Sequence, residues 1–306
     1  MPVPILLDTD IGSSFDDTIC LAYILGSEEL ELVGISTVSG QSHRRARYAG
    51  SILRHYGIDV PVVAGVEAAL TGELMQPETV AGLPLVPRGA IAGSGPRDLQ
   101  DLYSQSLECY GDRLVILSIG PLTNLAHLSW SDSDGNDPQR MPRLVAMGGS
   151  VSGEREWNVL LDPEAADGIL GSPGATPGAF SRRTLLPIEI TRRLTMTASE
   201  AARRIPRHLT EPFGDLSRHP RHPGSVVLHD PLAALAVTQE EHCVFEHGFV
   251  EIALNSSVMA GSSPGRPRGS CLFVPPSERD GGDDFVSVAV DVDRDSALNA
   301  ILATLC

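Results

Sequence analysis

Short apolar runs alternate along the chain with longer stretches in which apolar and polar positions recur at helical spacing. Residues 3–7 predict a buried strand, and residues 16–25 the helix that follows it. A second strand is predicted at 32–37, with a helix from about His43 to His55. A short strand at 60–63 and a helix over roughly 97–110 continue the alternation. Further strands are predicted at 114–118 and 144–147, with a helix starting at Leu122 between them. Asp162-Pro163-Glu164 opens another helix, because proline suits the first helical turn and acidic side chains suit the positive end of the dipole. Residues 184–190 read as strand, and Asp230-Pro231 starts a helix running to about Val237. Strands apolar on both faces, separated by helices, predict an α/β fold. The expectation is one domain over residues 1–306, a mostly parallel central sheet with helices on both faces.

Four polar stretches rich in Gly and Pro, residues 70–98, 129–142, 171–183 and 256–270, interrupt this pattern as loops or insertions. Residues 203–224 carry charges, prolines and histidines and read as a lid segment. No apolar run approaches the roughly 20 residues needed to cross a bilayer. The start, Met1-Pro2-Val3-Pro4-Ile5, lacks the basic region of a signal peptide. Five scattered cysteines without a C-x-x-C pair suggest neither a disulfide framework nor a zinc site, so a reducing cytoplasm is the expected compartment. A net charge of −16 repels phosphates and argues against a nucleic-acid partner. The chain contains no lysine, which removes the Walker A phosphate loop and Schiff-base chemistry.

Candidate chemistry concentrates where the first strand ends, in Asp8-Thr9-Asp10-Ile11-Gly12-Ser13-Ser14-Phe15-Asp16-Asp17. That edge of an open α/β sheet is where ligands bind. Asp8 and Asp10 are two apart, and Gly12 permits a turn that returns Asp16 and Asp17 toward them. Carboxylates packed this closely repel unless a cation or protons intervene. Oxygen ligands without Cys or His select a hard cation, calcium or magnesium. The plainer alternative is a solvated acidic turn that caps a helix. Far downstream lies Val227-Leu228-His229-Asp230-Pro231. Asp230 can cap a helix, and His229 is a natural proton donor to a leaving group. A third piece, Met147-Gly148-Gly149 followed by Glu156-Trp157-Asn158, offers hydrogen bonds to hydroxyls beside two glycines that let a ligand approach the backbone.

In this order the pieces resemble the inosine-uridine-preferring nucleoside hydrolase family. Its opening D-x-D-x-G…D-D is similar to Asp8, Asp10, Gly12, Asp16 and Asp17. Its G-x-L-T-N resembles Gly120-Pro121-Leu122-Thr123-Asn124, its E-F-N…D-P-E-A-A resembles Glu156-Trp157-Asn158 and Asp162 to Ala166, and its H-D-P resembles His229-Asp230-Pro231. Residues 286–293 are similar to its last strand. The resemblance implies calcium-dependent hydrolysis of a ribonucleoside and a homodimer or homotetramer. It implies that Asp10, Asp17, Asp230 and the carbonyl of Ile119 ligate Ca²⁺, with Asp8 orienting the cluster from behind. It implies that Asp16 and Asn158 hold the 2′- and 3′-hydroxyls and Glu156 the 5′-hydroxyl. Asp10 is then the base that takes a proton from water, and His229 assists the departing base.

Departures from the pattern cluster on the base side. Gln41 stands where the family usually has Asn or Asp. The family's His-Gly loop is replaced by Arg88-Gly89-Ala90-Ile91-Ala92-Gly93-Ser94-Gly95, and its Asn-containing loop by Ser150-Val151-Ser152-Gly153. The expectation is therefore a leaving group other than a plain uridine or inosine base. His219 and His222 are candidate contacts to it, or else solvent-facing histidines of the lid. Three rival readings remain: a haloacid-dehalogenase-like phosphatase, a ribose-binding protein without turnover, and a relative that acts on a modified ribosyl substrate or transfers it elsewhere. Gly12 counts against the phosphatase, which usually has Thr or Val there; His229 counts against binding alone, which needs no acid.

Overall fold

The computed structural model describes residues 1–305 except 72–77, 88–97, 129–140, 172–178, 215–223, 255–265 and 277–284. It opens with β1 (Val3–Thr9), α1 (Asp16–Gly26), β2 (Leu30–Thr37), α2 (Ser42–Tyr56) and β3 (Val62–Ala64). Then follow α3 (Leu99–Tyr110), β4 (Val115–Ser118), α4 (Thr123–His127) and β5 (Arg143–Met147). A short strand β6 (Ser152–Arg155) leads into α5 (Trp157–Leu161) and α6 (Pro163–Leu170). After β7 (Arg182–Leu186) come α7 (Ile188–Thr191), β8 (Thr195–Thr197), α8 (Ala198–Arg204), α9 (Arg207–Thr210), β9 (Ser225–Val227) and α10 (His229–Leu235). The chain finishes with β10 (Cys243–Ile252), β11 (Ser270–Val274), β12 (Val286–Val292) and α11 (Arg294–Thr304).

Ten strands form one sheet in the order β3-β2-β1-β4-β5-β7-β12-β10-β11-β6. From β3 to β12 neighbouring strands pair in parallel, whereas β10, β11 and β6 extend the sheet by antiparallel pairing. The parallel strands are apolar on both faces for the expected reason: each face has its own core. Ile5 and Leu7, Val115 and Leu117, and Val145 and Met147 point into one core with α1, α2 and α10. Leu6, Ile116, Leu144 and Ala146 point into the other with α3, α4 and α6. This is the period-two alternation of a strand buried on both sides. It places the C-terminal ends of β1, β4 and β5 along one edge.

The strand expected over 184–190 is shorter in the structure. Pro187 cannot donate to a ladder, so β7 stops at Leu186 and α7 begins at Ile188. The amides of Ile190 and Thr191 bond back to the Pro187 carbonyl. Of the segment expected as a lid, residues 203–214 and Gly224 are described, and Phe213 packs edge-on against Phe15 and Tyr48. His219 and His222 lie outside the described residues, as does the whole Arg88 to Gly95 loop. No helix among the described residues is long and apolar enough to cross a membrane.

Candidate active site

Asp8 lies within β1, fully buried, with Ser36 and Ser118 as its register partners on the flanking strands β2 and β4. Its Oδ1 accepts from Ser36 Oγ at 2.6 Å and from Asn124 Nδ2 at 2.6 Å, and Oδ2 accepts from Ser118 Oγ at 3.3 Å. Burial pushes its carboxyl up to about 6, against the pull of those three donors. Just beyond, Thr9 Oγ1 donates to Asp17 Oδ1 at 2.6 Å and accepts from the Ile11 amide at 3.1 Å. Gly12 turns the chain with φ of +104°, a conformation that favours glycine. The turn delivers Asp16 and Asp17 to the first turn of α1.

Helix α10, which packs against α1, starts with His229 and Asp230. One carboxylate oxygen from each of Asp16, Asp17 and Asp230 lies within 4.8 Å of the others, and all three residues are buried. Burial first, and repulsion from Asp10 and Asp16 next, hold the Asp17 carboxyl well above its usual range. Asp230 is raised for the same reasons, with Asp16, Asp17 and Asp10 all contributing after burial. Two helix N-termini supply partial positive charge here, but too little for three carboxylates. An all-oxygen set under such repulsion fits a hard cation. The sequence reading put Asp10 with Asp17 and Asp230 around the metal and Asp16 on the sugar; the structure groups Asp16 with Asp17 and Asp230. Asp10 sits beside them, its Oδ1 facing Gly120, where an added Cβ would come within 3.2 Å of that oxygen and 3.0 Å of the Asp10 amide. Glycine at 120 is what lets the end of β4 approach the turn.

Ile119 donates its amide to the Asp8 carbonyl at 2.8 Å, and its own carbonyl accepts from Asn158 Nδ2 at 3.1 Å. Asn158 Nδ2 also donates to the Met147 carbonyl at 3.0 Å. Glu156 caps α5: its Oε2 accepts from the amides of Gly149 at 2.9 Å, Asn158 at 3.0 Å and Val159 at 3.2 Å. Its carboxyl is raised by burial, with the backbone donors opposing. Gln41 precedes α2, and its Oε1 accepts from Thr79 Oγ1 at 2.7 Å and the Thr79 amide at 3.3 Å. Gln41 thus holds the segment around Thr79 over the turn at Gly12, whose carbonyl accepts from the Val80 amide. His229 is half-buried, with Nδ1 2.9 Å from Thr191 Oγ1.

Five residues at or around the site make contacts that the sequence does not reveal. Asn124 lies in the G-x-L-T-N run without an assigned role, and Asp162 is expected only to open a helix. Asn124 joins Asp8 to the Thr37 carbonyl and, through Oδ1, to the Val66 amide at 2.8 Å. Asp162 caps α6 at the Ala165 amide and accepts from Thr123 Oγ1 at 2.7 Å and the Leu70 amide at 2.9 Å. Glu189 gathers Ser150 Oγ at 2.5 Å, Ser152 Oγ at 2.7 Å and the Val151 amide at 3.2 Å, bracing the Ser150–Ser152 loop. Thr191 meets His229. Arg45, in the run His43-Arg44-Arg45, has the look of a solvated helix face and is instead fully buried.

A family model described as inosine-uridine preferring nucleoside hydrolase matches residues 5–299. The chain is 30% identical over 210 residues to the pyrimidine-specific ribonucleoside hydrolase RihA of Escherichia coli O9:H4 (strain HS), covering 63% of this chain and 66% of that protein. It is 31% identical over 190 residues to the non-specific ribonucleoside hydrolase RihC of Klebsiella pneumoniae (strain 342), covering 56% of this chain and 59% of that protein. These alignments span 59% to 66% of the curated relatives' length. Among solved structures, the plant nucleoside hydrolase PpNRh1 superposes with a TM-score of 0.78 at 22% identity, covering 100% of this chain and 99% of that one. A purine-preferring ribonucleoside hydrolase from Gardnerella vaginalis gives 0.76 at 23% identity, covering 99% of this chain and 98% of that one. At that identity the superpositions establish a shared fold.

Proposed function

Because the chain belongs to the inosine-uridine preferring nucleoside hydrolase family, we propose that it hydrolyses the N-glycosidic bond of a ribonucleoside in a calcium-dependent reaction, releasing ribose and the free base. The observation that carries this reading is the buried group of Asp16, Asp17 and Asp230 at the start of two helices, at the sheet edge where ligands bind. In this reading Asp10, Asp17, Asp230 and the Ile119 carbonyl hold the calcium. A bound calcium, with six to eight flexible oxygen ligands, supplies the positive charge these carboxylates call for and an anchor for hydroxyl and water oxygens.

The chain's own residues do the rest. Asp16 and Asn158 hold the 2′- and 3′-hydroxyls, and Glu156, its carboxylate fixed by backbone amides, accepts from the 5′-hydroxyl. Asp8, buried behind the turn, keeps the end of β1 aligned with β2 and β4 so that Asp10 is presented at the sheet edge. Asp10 takes the proton from the attacking water. The ring of carboxylates stabilises the positive charge that builds on the sugar in an oxocarbenium-like transition state. His229 protonates the departing base from Nε2 as an imidazolium, its Nδ1–H donating to the Thr191 hydroxyl.

The base itself is a separate question, since the relatives named above are described as pyrimidine-specific, non-specific and purine-preferring. A leaving group other than a plain uracil or hypoxanthine is favoured by Gln41, whose carbonyl oxygen is taken up by Thr79. The test is ribose release from a nucleoside panel, with calcium present or chelated and Asp10→Ala alongside. Calcium-dependent release that vanishes in the variant supports the reading and shows which base is accepted. Calcium binding without release from any nucleoside in the panel refutes hydrolysis of ordinary nucleosides.

A further inference from the structure

Arg45 heads the largest side chains with no solvent exposure, and it stands on α2 directly behind the acidic turn. Its guanidinium spans two loops. Nη1 donates to the carbonyls of Asp10 and, at 3.1 Å, Ile11, and to Ser13 Oγ at 2.9 Å. Nε donates to the Ser39 carbonyl at 2.8 Å. The first three acceptors lie on the turn after β1, the fourth on the turn after β2. Ser39 has φ of +64° and is the only non-glycine among the described residues with a positive φ. A non-glycine residue keeps that conformation only where its surroundings over-determine it. Arg45 is one of the groups that does so here, together with the Ser39 amide bonding to the Val66 carbonyl at 2.7 Å.

We propose that Arg45 is a positioning residue that locks the turn after β1 to the turn after β2 and so presets the metal centre before the ion arrives. The inference rests on the calcium reading above. Two properties of the side chain oppose each other, and their balance makes the idea testable. As a charge, a buried cation beside the carboxylates repels a dication, so its removal on that account tightens calcium binding. As a rigid fork reaching carbonyls on two loops, it pre-aligns the ligands, so its removal weakens binding. A guanidinium reaches these acceptors in one fixed geometry; an ammonium is a point donor on a shorter stem and cannot bridge both turns at once. Residues that support metal ligands from behind typically change affinity by about 10- to 100-fold.

The experiment is calorimetric titration of calcium chloride into the metal-stripped full chain, with near-ultraviolet circular dichroism as the check on folding. Arg45→Lys keeps the charge and loses the fork, and its calcium Kd is expected to rise by about 10- to 100-fold. Arg45→Met is expected to weaken binding as well; if it does not fold, Arg45→Lys alone decides. Ile52→Ala, on the same helix but pointing into the core, is expected to lower Tm while leaving the Kd unchanged. A wild-type Kd in Arg45→Lys, tighter binding in Arg45→Met, or an equal loss in Ile52→Ala overturns the proposal while the calcium reading stands. Absence of calcium binding by the wild type overturns both.

Discussion

Asp8 tests the electrostatics of the site without touching a reacting group. Its carboxyl is fully buried and pushed from 3.8 up to about 6, chiefly by burial. Between about pH 4 and pH 6 the folded state therefore binds the Asp8 proton more tightly than the unfolded state does. Stability contributed by this group falls as pH rises through that window, and the penalty is complete above the folded value. A shift of roughly two units corresponds to about 3 kcal/mol, of which about 2 to 3 kcal/mol develops between pH 4 and pH 7. Asn at this position does not titrate. Its oxygen can keep the donors from Ser36 and Asn124, and its amide can donate to Ser118, whose hydroxyl is free to rotate. The Asp8→Asn variant is therefore expected to fold. Its stability minus that of the wild type should rise by about 2 to 3 kcal/mol from pH 4 to pH 7, measured by urea unfolding in chelator. Asp17, Asp230 and Glu156 slope in the same direction but in both proteins, so the difference isolates Asp8. Scaled to 306 residues, that is a relative gain of about 4 °C in Tm. Parallel stability curves for the two proteins across this range would refute the reasoning.

Thr191→Val removes the hydroxyl at His229 Nδ1 and should lower kcat by about 10-fold with KM nearly unchanged, a smaller loss than the roughly 10²- to 10⁴-fold expected for His229→Ala; steady-state kinetics on any cleaved nucleoside decide it. Glu156→Gln sets an amide NH₂ against the Asn158 amide that donates to Oε1, and should cost about 1 to 3 kcal/mol in urea unfolding. Calcium at about 1,000 times its Kd should add about 4 kcal/mol to stability, some 6 °C in Tm, reversed by chelation. That gain should shrink as pH falls, because protons compete for the raised carboxyls of Asp17 and Asp230; a calcium shift in Tm that is flat with pH would contradict it.

The parallel half of the fold was legible because its strands are short, apolar on both faces and punctuated by helices, so periodicity and burial say the same thing. The antiparallel edge was not. Strand β10 exposes Val244, Glu246 and His247 before its buried half begins at Gly248, and no run of that kind marks a buried strand. The helix α11 is weakly patterned, with Asp293 accepting from the Ser296 amide as its clearest signal. At the site, carboxylate spacing exposed Asp8, Asp10, Asp16 and Asp17 because acidic residues at a strand end are costly and therefore conspicuous. Arg45 carried no such signal. A buried arginine and a solvated one look alike in sequence until the acceptors from two other loops are known.

The motifs that carry the resemblance divide along the same line. In Gly120-Pro121-Leu122-Thr123-Asn124, glycine makes room for Asp10, Thr123 bonds Asp162, and Asn124 links Asp8, the Thr37 carbonyl and the Val66 amide. In Asp162 to Ala166, Asp162 caps α6 and ties down Leu70 and Thr123. Neither run brings a side chain into the carboxylate group of Asp16, Asp17 and Asp230. Together they form a frame that ties β1, the end of β2 and the loop after β3 to the segment that follows β4 and the start of α6. The frame has a physical purpose: carboxylates held this close repel, and loops free to yield would relieve the repulsion by spreading apart. A site that concentrates negative charge for a cation must be stiffer than that charge alone would allow, and Asn124 contributes by holding Asp8 at the strand end that leads into Asp10.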